Sequence, residues 1–478
     1  MGTIAHEAEQ NENERQGEER AITKTSAQTS RTVDLVQLIN QLDIRRFHFQ
    51  LLALCAGVVF MDGFDAQAIG YVAPTLSQAW HLAPGALGPV FGSGLFGIML
   101  GALVGGPLAD YIGRKRVIIF AAIFFGICTL ITAFAGNVQQ LLMIRFITGV
   151  GLGAAMPNAI ALISEYSPKR HHAIMVMTMF CGFSLGAALG GLVAGLLVPA
   201  FGWSSVFIFG GVVPLLLAPV LRVALPESVR FLLLRDPNDP RINIIIENLA
   251  GTPAGAARFV ISEEQHEAFT LVQLFTHGRA LATVLLWVVF FMNLLNLYFL
   301  SNWLPTVMHD MGLSISTAAF TSALFQVGGT VAPFLLGWLI YRYGFHRVLV
   351  VTYILAAVVI GLLGSVGPGL AMLMVTVFAA GFCVVGAQSG SNALAASLYP
   401  TSVRSTGVGW ALGIGRIGSI IGPVVGGMML AQHWDRSQLF LFGAIPALCA
   451  MAAVAAMWMT KPPAAGRDEA MMQKPQRA

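Results

Sequence analysis

Long stretches without charge alternate along the chain with short polar joints. Twelve apolar runs recur, roughly over residues 47–70, 86–108, 117–135, 139–163, 172–196, 203–222, 279–302, 315–340, 348–365, 370–393, 405–431 and 437–459. Each is close to the roughly 20 residues that a membrane-spanning helix requires. Runs of this length point to spans rather than to helices of a soluble core. The fold class expected is an all-α membrane protein with about 12 transmembrane helices. One joint is long: residues 223–278 carry Arg241, Glu263, Glu264 and several Asp and Pro residues. This polar stretch divides the chain into two six-helix bundles, 47–222 and 279–460, with tails at 1–46 and 461–478. The first tail has no apolar segment near Met1 of the kind a cleavable signal peptide needs, and its composition predicts disorder. Within it, Val33–Ile44 has helix-like apolar spacing and is expected to lie on the membrane surface or on the protein.

Composition supports the count. Hydrophobic residues make up 56% of the chain and charged residues only 10%, against roughly 25% charged in ordinary soluble domains. The net charge of +4 comes without a basic stripe or interleaved aromatics, so nucleic acid is not an expected partner. The five cysteines, Cys55, Cys128, Cys181, Cys383 and Cys449, all fall inside apolar runs. They have neither metal-ligand nor disulfide spacing and read as small core hydrophobes. Gly149-Val-Gly151-Leu-Gly153 lies inside a span rather than after a strand, which makes it a helix-packing surface and not a dinucleotide loop. No catalytic constellation, cofactor or metal site is expected.

Basic residues assign a direction. Arg114, Lys115, Arg116, Lys169, Arg170, Arg222, Arg230, Arg235, Arg342, Arg347 and Arg404 all fall in alternate joints; Arg436 is the exception. The positive-inside rule places these joints and both termini in the cytoplasm, with the chain in a bacterial cytoplasmic membrane.

The two halves repeat each other. Gly106-Pro-Leu-Ala-Asp110-Tyr-Ile-Gly113-Arg114-Lys115-Arg116 follows span two, and Gly337-Trp-Leu-Ile-Tyr341-Arg342-Tyr-Gly344-Phe-His-Arg347 follows span eight. Asn158 to Arg170 is echoed by Asn392 to Arg404. Gly182, Gly186, Gly190 and Gly191 in span five are echoed by Gly418, Gly422, Gly426 and Gly427 in span eleven. Small residues every fourth position let helices approach closely in lipid. Two repeated bundles form the architecture of an alternating-access transporter, with its site between them near the midplane.

Ionisable side chains at membrane depth cost about 2.5 kcal/mol or more and mark function by default. Here they are Asp62, Asp65, Arg145 and Arg416, with Glu165 near a helix end. No Lys or His lies deep in a span, so a proton carrier must be a carboxylate. Asp62 and Asp65 stand three apart, nearly on one helix face. Arg145 enters span four at matching depth, so an Asp–Arg pair between spans one and four is expected. Two neighbouring carboxylates cannot both ionise freely, which suits Asp62 and Asp65 to proton coupling. Arg416 lies near the middle of span eleven, where a guanidinium suits a carboxylate ligand through two parallel hydrogen bonds. Phe64, Asn293, Asn296, Tyr298, Gln326, Gln388 and Asn392 are candidates to line a cavity around it. Of these, Gln388 and Asn392 are assigned with Arg416 and Arg145 to substrate binding.

The chain also resembles a known family. Gly106 to Arg116 is similar to the major facilitator pattern G-x-L-x-D-x-x-G-R-[RK]-x. Arg145-Phe-Ile-Thr-Gly149-Val-Gly151 resembles that family's span-four pattern, and Pro226-Glu227-Ser228-Val-Arg230-Phe231 the one after span six. Asp62-Gly63-Phe64-Asp65 resembles the D-G-x-D signature of the aromatic acid:proton symporters. Ser301-Asn-Trp303-Leu304-Pro305-Thr306, Gly386-Ala-Gln388 and Tyr399-Pro400-Thr401 resemble that branch as well. The resemblance implies proton-coupled import of a small aromatic carboxylate such as 4-hydroxybenzoate, protocatechuate or gallate. Asp110, Arg114 and Arg116 would then form a cytoplasmic latch, with Glu165 also at the gate. Tyr341 stands where relatives often keep an acid, so the second half is not expected to mirror that latch. The alternatives are a major facilitator carrier of another organic anion or metabolite, and a membrane chemoreceptor; no signalling segment is present. A monomer is expected.

Overall fold

The computed structural model describes residues 32–250, 258–260, 271–276, 278–365, 369–399 and 403–460. The sequence readings that fall on residues 1–31 and 461–478, on Glu263 and Glu264, and on Pro400 and Thr401 lie outside the described residues. Among the described residues twelve helices are long and apolar enough to cross a membrane. Spans one to six are Arg46–Ala79, Gly88–Ile112, Arg114–Thr132, Val138–Tyr166, His172–Phe201 and Ser204–Ala224. Spans seven to twelve are Ala280–Asp310, Ile315–Tyr343, Phe345–Ser365, Leu370–Leu398, Arg404–Ala431 and Arg436–Met459.

Local chemistry sets where several spans begin. The Asn137 side chain accepts a hydrogen bond from the Gln140 amide at 2.9 Å and starts span four. Ser314 caps span eight through the Thr317 amide at 3.2 Å, and Asp435 caps span twelve through the Gln438 amide at 2.8 Å. Each satisfies a backbone donor that the first turn leaves free. Spans two and eight both end at a glycine of positive φ, Gly113 at 100° and Gly344 at 85°, a conformation that L side chains rarely adopt.

The glycine repeats explain the bundle pairing. A side chain on Gly182 or Gly186 would meet the carbonyl of Ala56 or Phe60, so span five packs directly on span one. Gly418 and Gly422 meet the carbonyls of Phe291 and Leu295 in the same way, which sets span eleven on span seven. Replacing Gly186 with alanine forces these backbones apart. Thermal unfolding in detergent should show a loss of about 1–3 kcal/mol, the usual cost of overpacking. Gly337→Ala, where nothing lies within 4 Å, should leave the midpoint the same or slightly raised, since alanine is favoured over glycine inside a helix by about 0.5–1 kcal/mol.

Contacts between the halves gather at the ends of the spans away from the basic joints. Gly70 lies against Ser301 and Asn302, Gly88 against Gly427 and Pro423, and Gly191 against Ala319 and Ala323. Phe91 and Trp303 meet edge to face with ring centroids 5.0 Å apart, and Gln78 bonds His309 at 2.6 Å. At the opposite end Asp110, Tyr111 and Tyr341 are exposed. The cleft between the bundles therefore opens toward the basic joints.

On that same face a cap covers the first bundle. Strand β1 (Thr32–Asp34) pairs in parallel with β2 (Arg258–Val260), Val33 opposite Phe259. The helix Leu35–Gln41 follows β1 and buries Leu35 and Ile39. Of the two placements open to this segment, on the membrane or on the protein, it takes the second. It is clamped there by the Arg170–Asp43 ion pair and by the Lys169 amide on Asn40 at 3.0 Å. The central joint is not wholly irregular: it contains helices Val229–Arg235 and Pro240–Ala250. The second buries Ile242, Ile246 and Leu249 along one face, an amphipathic pattern.

Candidate functional site

Span one is buried on every side over Met61 to Pro74. Bundle neighbours and the opposite half enclose it, so its two acids sit in the middle of the protein. Gly63 lies against the Phe183 carbonyl, which brings span five beside Asp62.

Asp65 and Arg145 form a pair with almost no access to solvent, at 0% and 3% exposure. The Arg145 Nη2 donates to Asp65 Oδ2 at 2.8 Å and to the Asp65 carbonyl at 3.0 Å, and Nη1 donates to Oδ1 at 3.2 Å. Thr129 Oγ1 donates to the same Oδ1 at 2.7 Å. The Arg145 guanidinium also lies 5.8 Å from the Phe207 ring centroid. A buried ion pair is tolerable when most of its donors and acceptors are used: here Arg145 and Thr129 bond both carboxylate oxygens of Asp65, and of the guanidinium only Nε lacks a partner among the described residues. Thr129 carries no sequence signal, because threonine is common in membrane helices.

Asp62 is buried differently. It is 4% exposed, and among the described residues no hydrogen bond reaches its carboxyl. Arg416, from the other half, lies within its electrostatic reach, as does Asp65. Arg416 is half-buried. Its Nη1 donates to the Tyr298 hydroxyl at 3.4 Å, a long bond, and among the described residues no carboxylate forms an ion pair with it. Among the described residues most of its five donors have no partner.

Beside it runs a polar chain. Asn293 Nδ2 donates to Gln388 Oε1 at 2.8 Å, and Gln388 Nε2 donates to Asn392 Oδ1 at 3.1 Å. Higher in the bundle Gln326 donates to Ser301 Oγ at 3.2 Å. Gln67 is 1% exposed and both its amide atoms lack a partner, as does Asn296 Oδ1. Buried amides are normally satisfied, so these two stand out. Gln67 has no sequence signal beyond lying near Asp65.

At the basic face Arg114 forms an ion pair with Glu165. The sequence groups Arg114 and Arg116 with Asp110; in the structure Arg114 turns to the end of span four and Asp110 is exposed. Glu227, 8% exposed, ties the joint after span six to the start of span three. Its carboxylate accepts from the Lys115 and Ser228 amides, each at 3.0 Å, and the Tyr166 hydroxyl donates to its backbone carbonyl. That role is missing from the sequence reading, which assigns Glu227 only to a motif.

Twelve spans in two repeated bundles, with buried charges between them, define a multi-pass membrane transporter. The chain belongs to the Major Facilitator Superfamily, whose model matches residues 55–306 and again 286–477. It is 44% identical over 427 residues to the 4-hydroxybenzoate transporter PcaK of Pseudomonas putida, an alignment covering 89% of this chain and 95% of that one. It is 42% identical over 426 residues to the gallate transporter of Pseudomonas putida, with the same coverage. Among solved structures, the xylose transporter XylE from E. coli superposes with a TM-score of 0.70 at 16% identity, covering 88% of this chain and 100% of that one.

Proposed function

We propose that the protein imports a small aromatic carboxylate of the hydroxybenzoate type, such as 4-hydroxybenzoate, protocatechuate or gallate, together with protons. The observation that carries this reading is Arg416: a half-buried guanidinium between the bundles, with one long hydrogen bond among the described residues and within electrostatic reach of the Asp62 carboxyl. A bound carboxylate satisfies it through two parallel bonds. Tyr298 and the Asn293–Gln388–Asn392 chain supply hydroxyl and amide groups for ring substituents. The likeness to transporters named for 4-hydroxybenzoate and gallate supports the same substrate class.

The two acids divide the work. The Asp65 carboxyl is engaged by Arg145 and Thr129, while Asp62, to which no hydrogen bond among the described residues is made, carries the proton. An aromatic carboxylate entering a cell moves against the membrane potential, at roughly 2.3 kcal/mol per charge for 100 mV. An accompanying proton cancels that cost. The basic joints face the cytoplasm by the positive-inside rule, so the cleft is open inward. Asp110 is exposed in this state and is positioned to latch when that end closes.

Uptake of radiolabelled candidate acids into cells expressing the chain tests the reading. Accumulation that a protonophore abolishes is expected, with the acid inhibiting uptake far better than its amide. Equal inhibition by acid and amide would mean that the site does not read a carboxylate.

A further inference from the structure

A second cavity lies outside the cleft, at the basic face of the first bundle. It measures about 860 Å³ and is bounded by the start of span one, the start of span three, the end of span six and the helix Pro240–Ala250. Five cations line it: Arg46, Lys115, Arg116, Arg222 and Arg241. Arg222 and Arg241 lie within electrostatic reach of Lys115, so like charges are crowded around one space.

Little within the protein neutralises them. Glu227 also lines the cavity and its carboxylate offsets part of the charge at Lys115, but it is one lining acid against five cations. Arg241 is paired with Asp239, at 2.6 Å. Among the described residues no ion pair forms with Arg46, Lys115, Arg116 or Arg222. Crowded like charges disfavour one another, and an anion in the cavity relieves this.

The rest of the lining is apolar. Phe120 and Ile123 of span three and Ile244 of the amphipathic helix face the same space; Phe120 is 63% exposed and Ile244 58%. The cations stand where apolar spans meet polar joints, at the depth of phospholipid phosphates, and the apolar residues of span three continue from there into the membrane. A free phosphate would leave this apolar wall without a partner. A lipid uses both parts, and basic pockets between spans are known hosts for acidic headgroups.

We propose that this cavity binds an anionic phospholipid, with its phosphate among Arg46, Lys115 and Arg222 and its acyl carbons on Phe120, Ile123 and Ile244. The lipid ties the helix Pro240–Ala250 to spans one, three and six, and so joins the membrane surface to the first bundle. The site is separate from the cleft and does not depend on what the cleft carries.

Native mass spectrometry of the full chain, titrated in detergent with dioleoylphosphatidylglycerol or dioleoylphosphatidylcholine, tests this. One phosphatidylglycerol should remain bound under activation that strips phosphatidylcholine. Arg46→Gln combined with Arg222→Gln should weaken its binding about thirty-fold, at about 1 kcal/mol for each basic residue near the surface. Inorganic phosphate at millimolar concentration should not displace it. Equal retention of the two lipids by the unaltered chain would overturn the proposal without recourse to any variant. So would displacement by phosphate, which would mark a free-anion site, or unchanged affinity in the double variant.

Discussion

Arg416→Lys is expected to lower uptake of the aromatic acid about thirty-fold, although the charge is kept. An ammonium cannot present the planar two-point contact that a guanidinium offers a carboxylate, and losing one hydrogen bond to a charged group costs about 1.5–3 kcal/mol. Arg416→Ala should lose more, a hundredfold or beyond, because the substrate anion then enters an enclosed cleft without a counter-charge. Folding should be little affected in both variants, since among the described residues the long bond to Tyr298 is the one hydrogen bond that the Arg416 side chain makes. Size-exclusion profiles together with initial uptake rates separate the outcomes. A lysine variant with normal uptake and normal preference for acid over amide would remove Arg416 from the site.

Asp65→Asn should be the most damaging single change. It leaves the Arg145 cation buried at 3% exposure with its neutralising partner gone, and breaking one side of a buried pair costs about 3–5 kcal/mol. Loss of both stability and uptake is expected. Asp65→Asn with Arg145→Gln should recover much of the stability, because no isolated charge then remains, while uptake stays absent. The recovered energy is the coupling of the pair. Asp62→Asn should behave in the opposite sense. It should fold normally, because no hydrogen bond is lost, and exchange substrate across the membrane without accumulating it. Protonophore-sensitive accumulation by the Asp62 variant would assign the proton elsewhere.

What could be read from the sequence follows physical cost. A charge at membrane depth is expensive wherever it occurs, so Asp62, Asp65, Arg145 and Arg416 stand out without any structure. The match in depth between spans one and four points to an Asp–Arg pair there, and the structure selects Asp65 over Asp62 for it. Hydropathy finds the spans but not their ends: span one runs to Ala79, well past the apolar run at 47–70, because a helix continues beyond the bilayer wherever its backbone bonds hold. Partners that are cheap to place leave no trace. Thr129 and Gln67 are ordinary residues made important by position alone. Arg114 has acids in reach from two directions, and only the packing of span four beside span three decides for Glu165. The pairing of β1 with β2 joins residues far apart in the chain, and three-residue strands carry no periodicity.

That pairing has a bearing on how the molecule comes into being. Thr32 emerges from the ribosome early and its partner Arg258 only after all six spans of the first bundle. At ~5–20 residues per second, β1 waits on the order of tens of seconds for β2. The first bundle is by then complete, and none of the second has been made. Closure of the two strands is thus a natural checkpoint in biogenesis, a buckle that fastens only when everything threaded between its ends has been synthesised.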